Sequence, residues 1–190
     1  MNKLKVGIDF DGVLVDTVTQ YLYWFNKITG ENIKSNQLID YDTSKCIPEK
    51  FNYIAKQLWN EKCLYSNIQP IVDSQRYTKM FTYNNQIEMY VITVSSPEIM
   101  NEKCKVIKRL FPWIKSENII LMTGYNKSLI DVDILIDDNP NNFSTNQNKI
   151  IFNATWNHNF NEKAVGAVRA YDWDFIYTYI SNLINKENNK

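Results

Sequence analysis

The stretch Leu4–Thr17, LKVGIDFDGVLVDT, decides how the rest of the chain is read. Leu4, Val6 and Ile8 alternate with other residues at the period of a β-strand, and two carboxylates, Asp9 and Asp11, follow at once. Side chains alternate along a strand, so Asp9 and Asp11 share one side while Phe10 turns into the core. Gly12 lets the chain leave the strand sharply and come close to whatever the acids hold. Two like charges this close repel, and desolvation worsens the repulsion, so the pair suits a bridging hard cation such as Mg²⁺. Asp-x-Asp-Gly is also ordinary turn chemistry and resembles the start of a calcium loop. The calcium reading fails because Val13 to Val15 supply no further side-chain oxygens.

The chain has 190 residues, 44% of them hydrophobic, and no net charge. That length predicts one domain with a small insertion, and the charge balance argues against a bulk nucleic-acid or membrane surface. No apolar run is long enough to span a bilayer, and the first residues lack an apolar signal segment, so a cytoplasmic location is expected. Cys46, Cys63 and Cys104 are odd in number, widely spaced and accompanied by a single histidine, His158. They predict neither a disulfide framework nor a structural zinc site. His158, between asparagines, reads as surface.

Beyond the first strand, Val18, Tyr21, Leu22, Phe25 and Ile28 recur at helical spacing up to Gly30. Pro48 opens a second helix with Phe51, Ile54, Ala55 and Leu58 on its apolar face and Trp59 near its end. A third helix is expected from about Pro70. Glu88–Thr93 reads as a buried strand, and Ile99 to Phe111 as an amphipathic helix in which Lys103 is a snorkelling exception on the apolar face. Asn118–Met122 and Asp133–Asp137 are further strands, Lys149–Phe152 the last one, and Trp173–Ile184 a closing helix. Strands alternating with helices predict an α/β, Rossmann-like, mainly parallel sheet. The helical region 17–70 is an insertion between the first two core strands, hence a cap; residues 1–16 and 71–190 form the core.

In open parallel sheets, ligands bind outside the carboxyl ends of the strands. Asp9, Asp11, Thr93, Ser95, Asp137 and Asp138 all fall at such ends, and Lys127 follows another. Four acids on one edge call for a cation, predicted as Mg²⁺, and a cation with a lysine suits a dianionic phosphoryl group. One carboxylate can attack phosphorus while its neighbour handles the leaving-group proton. Such a transfer needs mostly positioning and charge neutralisation.

These residues resemble the four motifs of the haloacid dehalogenase-like (HAD) phosphohydrolase superfamily, in order: DFDGV at Asp9–Val13, VITVSS at Val91–Ser96, Lys127, and LIDD at Leu135–Asp138. Within it, the chain is most similar to the cytosolic type C 5′(3′)-deoxyribonucleotidases. That similarity rests on DFDGVLVDT, on MTGYNKSLIDVDILIDD from Met122 to Asp138, on IIFNATWNHN at Ile150–Asn159, and on Arg169 with Trp173. The resemblance implies that Asp9 is the nucleophile and Asp11 the general acid and base. It places Mg²⁺ on Asp9, the backbone carbonyl of Asp11 and Asp137, with Asp138 behind them, and the phosphate on Thr93 and Lys127. In the second motif Thr93 fits the strand end, whereas aligning SSP with the family's TSP favours Ser95 and Ser96; Thr93 is preferred and Ser95 kept beside it.

The chain departs from that family at Thr17, where the family carries an aromatic residue that contributes to the base pocket, and near Gly124 or Tyr125, where it carries an arginine. Thr17, Tyr21, Phe51 and Trp59 are the candidates for contact with a base. The expected substrate is a small phosphoester, a nucleoside monophosphate. A sugar-phosphate phosphatase, a non-catalytic nucleotide- or Mg²⁺-binding protein and a polynucleotide-end phosphatase are the rivals, the last disfavoured by zero net charge. A small cap leaves room for a second subunit, so a homodimer is compatible with the reading.

Overall fold

The structure is a computed structural model that describes residues 3–124, 127–143 and 148–188. Six parallel strands, β1 (Leu4–Ile8), β2 (Ile87–Val94), β3 (Ile119–Met122), β4 (Ile134–Asp137), β5 (Asn148–Phe152) and β6 (Ala167–Ala170), form one sheet in the order β3-β2-β1-β4-β5-β6. The chain builds outward from β1 to one edge through β2 and β3. It then returns to the other side of β1 for β4, β5 and β6. The crevice where the order reverses therefore opens beside β1, at the carboxyl ends of β1, β2 and β4. β4 reads as a continuous apolar run up to Asp137 because both its faces are covered; Ile134, Leu135 and Ile136 are fully buried.

Helices α1 (Thr17–Thr29), α2 (Asn52–Leu58), α3 (Cys63–Ser66), α4 (Ser74–Tyr83), α5 (Met100–Leu110) and α6 (Trp173–Asn188) complete the chain with short 3₁₀ turns. In α1, Asp16 accepts from the Thr19 N–H at 3.0 Å, Gly30 ends the helix in the left-handed conformation, and Tyr21, Leu22 and Phe25 face inward. Ile28, expected on that face, is 55% exposed. Trp173 opens α6 in the core, and its indole N–H donates to the Val13 carbonyl at 3.1 Å, tying the last helix to the first motif. None of the helices among the described residues is long and apolar enough to cross a membrane.

The chain enters its helical region after Val15 and returns at Pro70, and these two residues form an isolated bridge outside the sheet. Asp16 N donates to Gln69 O, and Ile71 N to Leu14 O, both at 2.9 Å. Between these points lie α1, α2 and α3, and no β-ladder. Three expectations change. The helix expected from Pro70 begins at Ser74, because Pro70 serves the bridge. The short α3 carried no periodic signal. Phe152 does not end the sheet, because β6 follows: AVRA is too short, and too poor in β-branched and aromatic residues, to read as a strand, and it pairs along β5 from Lys149↔Ala167 to Phe152↔Ala170.

Candidate active site

Asp9 is the first residue past β1, and its N–H donates to Ile136 O at 2.9 Å, so the ladder continues just far enough to fix its backbone. Its carboxylate Oδ1 lies 2.6 Å from Lys127 Nζ and accepts from the Phe10 N–H at 2.7 Å. Lys127 is 1% exposed and spans Asp9 and Asp137, reaching Asp137 Oδ2 at 2.8 Å. Asp137 also accepts from the Asn139 N–H at 2.8 Å and from Asn142 Nδ2 at 3.0 and 3.1 Å. Both oxygens of Asp137 are thus engaged. Asp138, one residue further, lines the cavity beside Gly12, whereas Asp137 does not.

Asp9, Asp137 and Asp138 are all buried, and one oxygen from each lies within 4.8 Å of the others. Among the described residues one buried ammonium, that of Lys127, touches this group. Burial first, then repulsion from Asp137 and Asp11, pushes the Asp9 carboxyl up to about 7 against the pull of Lys127. Burial and the charges of Asp9 and Asp137 hold Asp138 well above the usual carboxylate range. Burial alone would lower the Lys127 ammonium, but Asp137 and Asp9 outweigh it and raise it. The donor set is all oxygen and short of positive charge, which fits a hard divalent cation and no softer metal.

The proton balance has a sign that can be checked. With the Asp9 pKa raised from 3.8 to about 7, the folded metal-free protein holds a proton that the unfolded chain releases over that interval. The folded state binds more protons there, so stability falls as pH rises from about 4 to about 7. Melting in EDTA at about pH 5 and about pH 8 should give the lower Tm at the higher pH, and saturating Mg²⁺ should remove the difference. A metal-free Tm that rises over this range would contradict the raised carboxyl.

Asp11 is held differently. Thr17 Oγ1 donates to its Oδ1 at 2.8 Å and the Tyr65 hydroxyl at 3.1 Å. Lys103 Nζ reaches Oδ2 at 2.5 Å and Thr93 Oγ1 lies 3.4 Å from it. Lys103 is therefore not a snorkelling lysine: it is 3% exposed, and its ammonium also donates to Thr93 Oγ1 and to the Val94 carbonyl. Burial and the Asp11 charge keep the Tyr65 phenol well above its usual range, so it remains a donor. Lys103 has a signal in the sequence, a lysine on the apolar face of a helix that begins at a strand end; Tyr65, in the four-residue α3, has none.

A cavity of about 590 Å³ opens over these acids. Asp9, Asp11, Thr17, Ser95, Lys127 and Trp59 all line it, as do Ser96 and Asp138. Four residues expected at the site stand back from it. Thr93 is fully buried behind Asp11 and Lys103. Asp137 lies behind Lys127. Tyr21 lies behind Trp59, stacked at 4.6 Å, with its hydroxyl donating to the Ala55 carbonyl at 3.3 Å. Phe51 packs edge-on against Phe25. The Trp59 indole N–H donates to Thr43 Oγ1 at 3.1 Å, which fixes the ring. Tyr41 lines the cavity with half of its surface exposed, and the burial of its phenol there and the charges of Asp138 and Asp9 push it up. Ser96 Oγ, lining the cavity, is buried with no protein partner among the described residues. His158 is exposed, as expected. Tyr125 lies outside the described residues.

Gly12 is required by this packing. Its φ is +76°, and a Cβ there would sit 2.6 Å from Asp138 Oδ2 and 3.2 Å from its carboxyl carbon. Gly12→Ala should cost about 1–3 kcal/mol and, by displacing Asp138, lower kcat about 100-fold, read by thermal melting and phosphate release.

Residues 2–187 match the family described as 5′ nucleotidase, deoxy (pyrimidine), cytosolic type C protein. The chain belongs to this family. Two relatives named 5′(3′)-deoxyribonucleotidase are each 29% identical to it. The one from Clostridium acetobutylicum aligns over 178 residues, 91% of this chain and 92% of its own, and the one from Bacillus subtilis over 177 residues, 92% and 96%. Solved structures share the fold. A haloacid dehalogenase-like protein from Agrobacterium tumefaciens superposes with a TM-score of 0.63 at 12% identity, covering 96% of this chain and 100% of that one. A magnesium-bound HAD-hydrolase from Bacillus subtilis gives 0.58 at 11%, covering 94% and 99%. Membership of the type C family makes the chain a phosphoric monoester hydrolase of the HAD type, acting on nucleotides.

Proposed function

We propose that the protein hydrolyses deoxyribonucleoside monophosphates in a Mg²⁺-dependent reaction through an aspartyl phosphate on Asp9. The observation that carries this reading is that Asp9, Asp11 and the fixed ring of Trp59 line one cavity in a chain of this family. The segment 17–70 acts as the cap: it brings Thr17, Trp59 and Tyr65 over strand ends that supply Asp9, Asp11 and Asp138. The Agrobacterium and Bacillus neighbours support the core fold alone, and the deoxyribonucleotide preference comes from the named relatives.

The geometry favours exchanging two roles suggested by the resemblance. Asp138, which lines the cavity, joins Asp9 and the Asp11 backbone carbonyl in holding Mg²⁺, and Asp137, its oxygens taken by Lys127, Asn139 and Asn142, orients the lysine. Likewise Ser95 and Ser96, at the cavity wall, receive the phosphate, while buried Thr93 steadies Asp11 and Lys103. When bound, Mg²⁺ supplies charge neutralisation of the phosphoryl oxygens. Asp9 attacks phosphorus as Lys127 holds the attacking carboxylate in place. Asp11, aimed by Thr17, Tyr65 and Lys103, gives a proton to the leaving oxygen and then takes one from the incoming water.

The exposed face of Trp59 offers a stacking surface, with Gln57 and Asn60 beside it for the base edge. Stacking of one base on one aromatic ring is worth about 1–3 kcal/mol. Trp59→Ala should therefore raise KM for deoxyribonucleoside monophosphates roughly tenfold or more with kcat little changed, and leave hydrolysis of a small ester without a base unaffected. Phosphate release across ribo- and deoxyribonucleoside monophosphates and sugar phosphates checks this. Deoxyribonucleotides should lead; sugar phosphates in the lead, with Trp59→Ala silent, would overturn the substrate assignment.

A further inference from the structure

We propose that Asn157 is a positioning residue for Asp138 and that Arg169 holds it to that task. The inference rests on the reading of Asp138 as a metal-side acid. Asp138 is the first residue past β4, and the β4–β5 ladder ends at Asp137↔Ile151, so the strand gives its carbonyl no partner. Asn157 supplies one. Its Nδ2 donates to Asp138 O and to Phe152 O, each at 2.8 Å, joining the carboxyl ends of β4 and β5. Its Oδ1 accepts from the Ala154 N–H at 3.0 Å and from Arg169 Nη1 at 2.8 Å. Both amide protons and both lone pairs are used, so this 2%-exposed side chain has one orientation available to it.

Arg169 reaches across from β6 to impose that orientation. Besides Asn157 Oδ1 it donates to Asn153 Oδ1 at 3.1 Å, Asn157 O at 3.0 Å, Phe160 O at 3.1 Å and Glu162 Oε2 at 3.2 Å. The guanidinium fork thus fastens the loop that follows β5, and a lysine could not satisfy so many acceptors at once. The same loop carries Trp156, whose ring lines the cavity near Gly12. The path from β6 through Arg169 and Asn157 ends on the backbone of Asp138, and the carboxylate's place at the cavity follows from it. None of these side chains touches Asp9, Asp11 or the expected phosphate position.

Partners that orient metal-ligating groups commonly change metal affinity 10- to 100-fold when lost. The test is a Mg²⁺ titration of the whole chain followed by Tm, which reads metal binding without turnover, with nucleotide KM measured at saturating Mg²⁺. Asn157→Ala should raise the Mg²⁺ concentration for half-maximal stabilisation about tenfold or more and leave KM within about threefold. Arg169→Gln should move it in the same direction by less, and Arg169→Lys should restore part of the difference. A folded Asn157→Ala with the wild-type Mg²⁺ midpoint would overturn the proposal, as would a shift in KM alone. Should Asn157→Ala not fold, Arg169→Gln decides by the same midpoint. A wild type that gains no stability from Mg²⁺ would refute the metal reading itself, and this proposal with it; a responsive wild type whose variants keep its Mg²⁺ midpoint would refute only the positioning role.

Discussion

Asp9→Asn should abolish turnover, lowering kcat by at least about four orders of magnitude, without loss of stability in metal-free buffer at about pH 8. The amide keeps the shape and still meets Lys127 with an oxygen, but it has no lone pair basic enough to attack phosphorus. Loss of the nucleophile leaves only binding and charge stabilisation. The stability expectation comes from the same carboxyl: burial and its acidic neighbours push it up to about 7, so above that pH its charge opposes folding when no cation is bound. A neutral side chain removes the opposition. Single-turnover phosphate release and thermal melting read the two effects separately. Turnover within a hundredfold of wild type would remove Asp9 from the chemistry.

Lys127→Met should be the second large effect, and it should split into a part that Mg²⁺ mends and a part that it does not. Lys127 is 1% exposed and lies 2.6 Å from Asp9 and 2.8 Å from Asp137. Removing one partner of a buried ion pair costs about 3–5 kcal/mol because the remaining charge is left uncompensated. At about 2–4 °C per kcal/mol for a chain of this size, the metal-free Tm should fall by roughly 10 °C. Saturating Mg²⁺, for which Asp9, Asp138 and the Asp11 carbonyl would be the ligands, should return much of that stability. Turnover should stay low by about 10²–10³-fold, since a prepositioned cation facing the transferring group has been lost. Calorimetry with and without Mg²⁺, beside initial rates, measures both. Activity within tenfold of wild type would place the phosphate elsewhere.

The parts of this molecule that can be read from the sequence are those coded locally. Alternation from Leu4 to Ile8 followed by Asp9 and Asp11 placed β1 and its acids; ILID followed by Asp138 placed β4 and its acids; the parallel sheet followed from their alternation with helices. What could not be read depends on the direction a side chain takes once elements are packed. Spacing puts Lys103 on the apolar face of α5 but does not show that this face looks onto Asp11. Adjacent carboxylates look alike in sequence; only Asn139, Asn142 and Lys127 closing on Asp137 distinguish it from Asp138. Thr93 and Ser95 lie two apart and share one side of the strand end, and which of them reaches the cavity depends on where the chain turns out of the sheet after Val94. Tyr65 and Tyr41 come from short or irregular stretches of the helical segment, and meet the acids only through tertiary packing.

The central claim is that Asp9 carries the phosphoryl group. Asp11→Asn provides the most direct view of it when the substrate is an aryl phosphate, whose leaving group departs without the proton that Asp11 gives: the variant still lacks the base that activates water and should accumulate the acyl phosphate. Acid quench after mixing with the aryl phosphate and Mg²⁺, followed by peptide mass mapping, should find one phosphoryl group on the peptide that contains Asp9. A phosphoryl group on any other residue, or none while the variant still releases phosphate, would contradict the account.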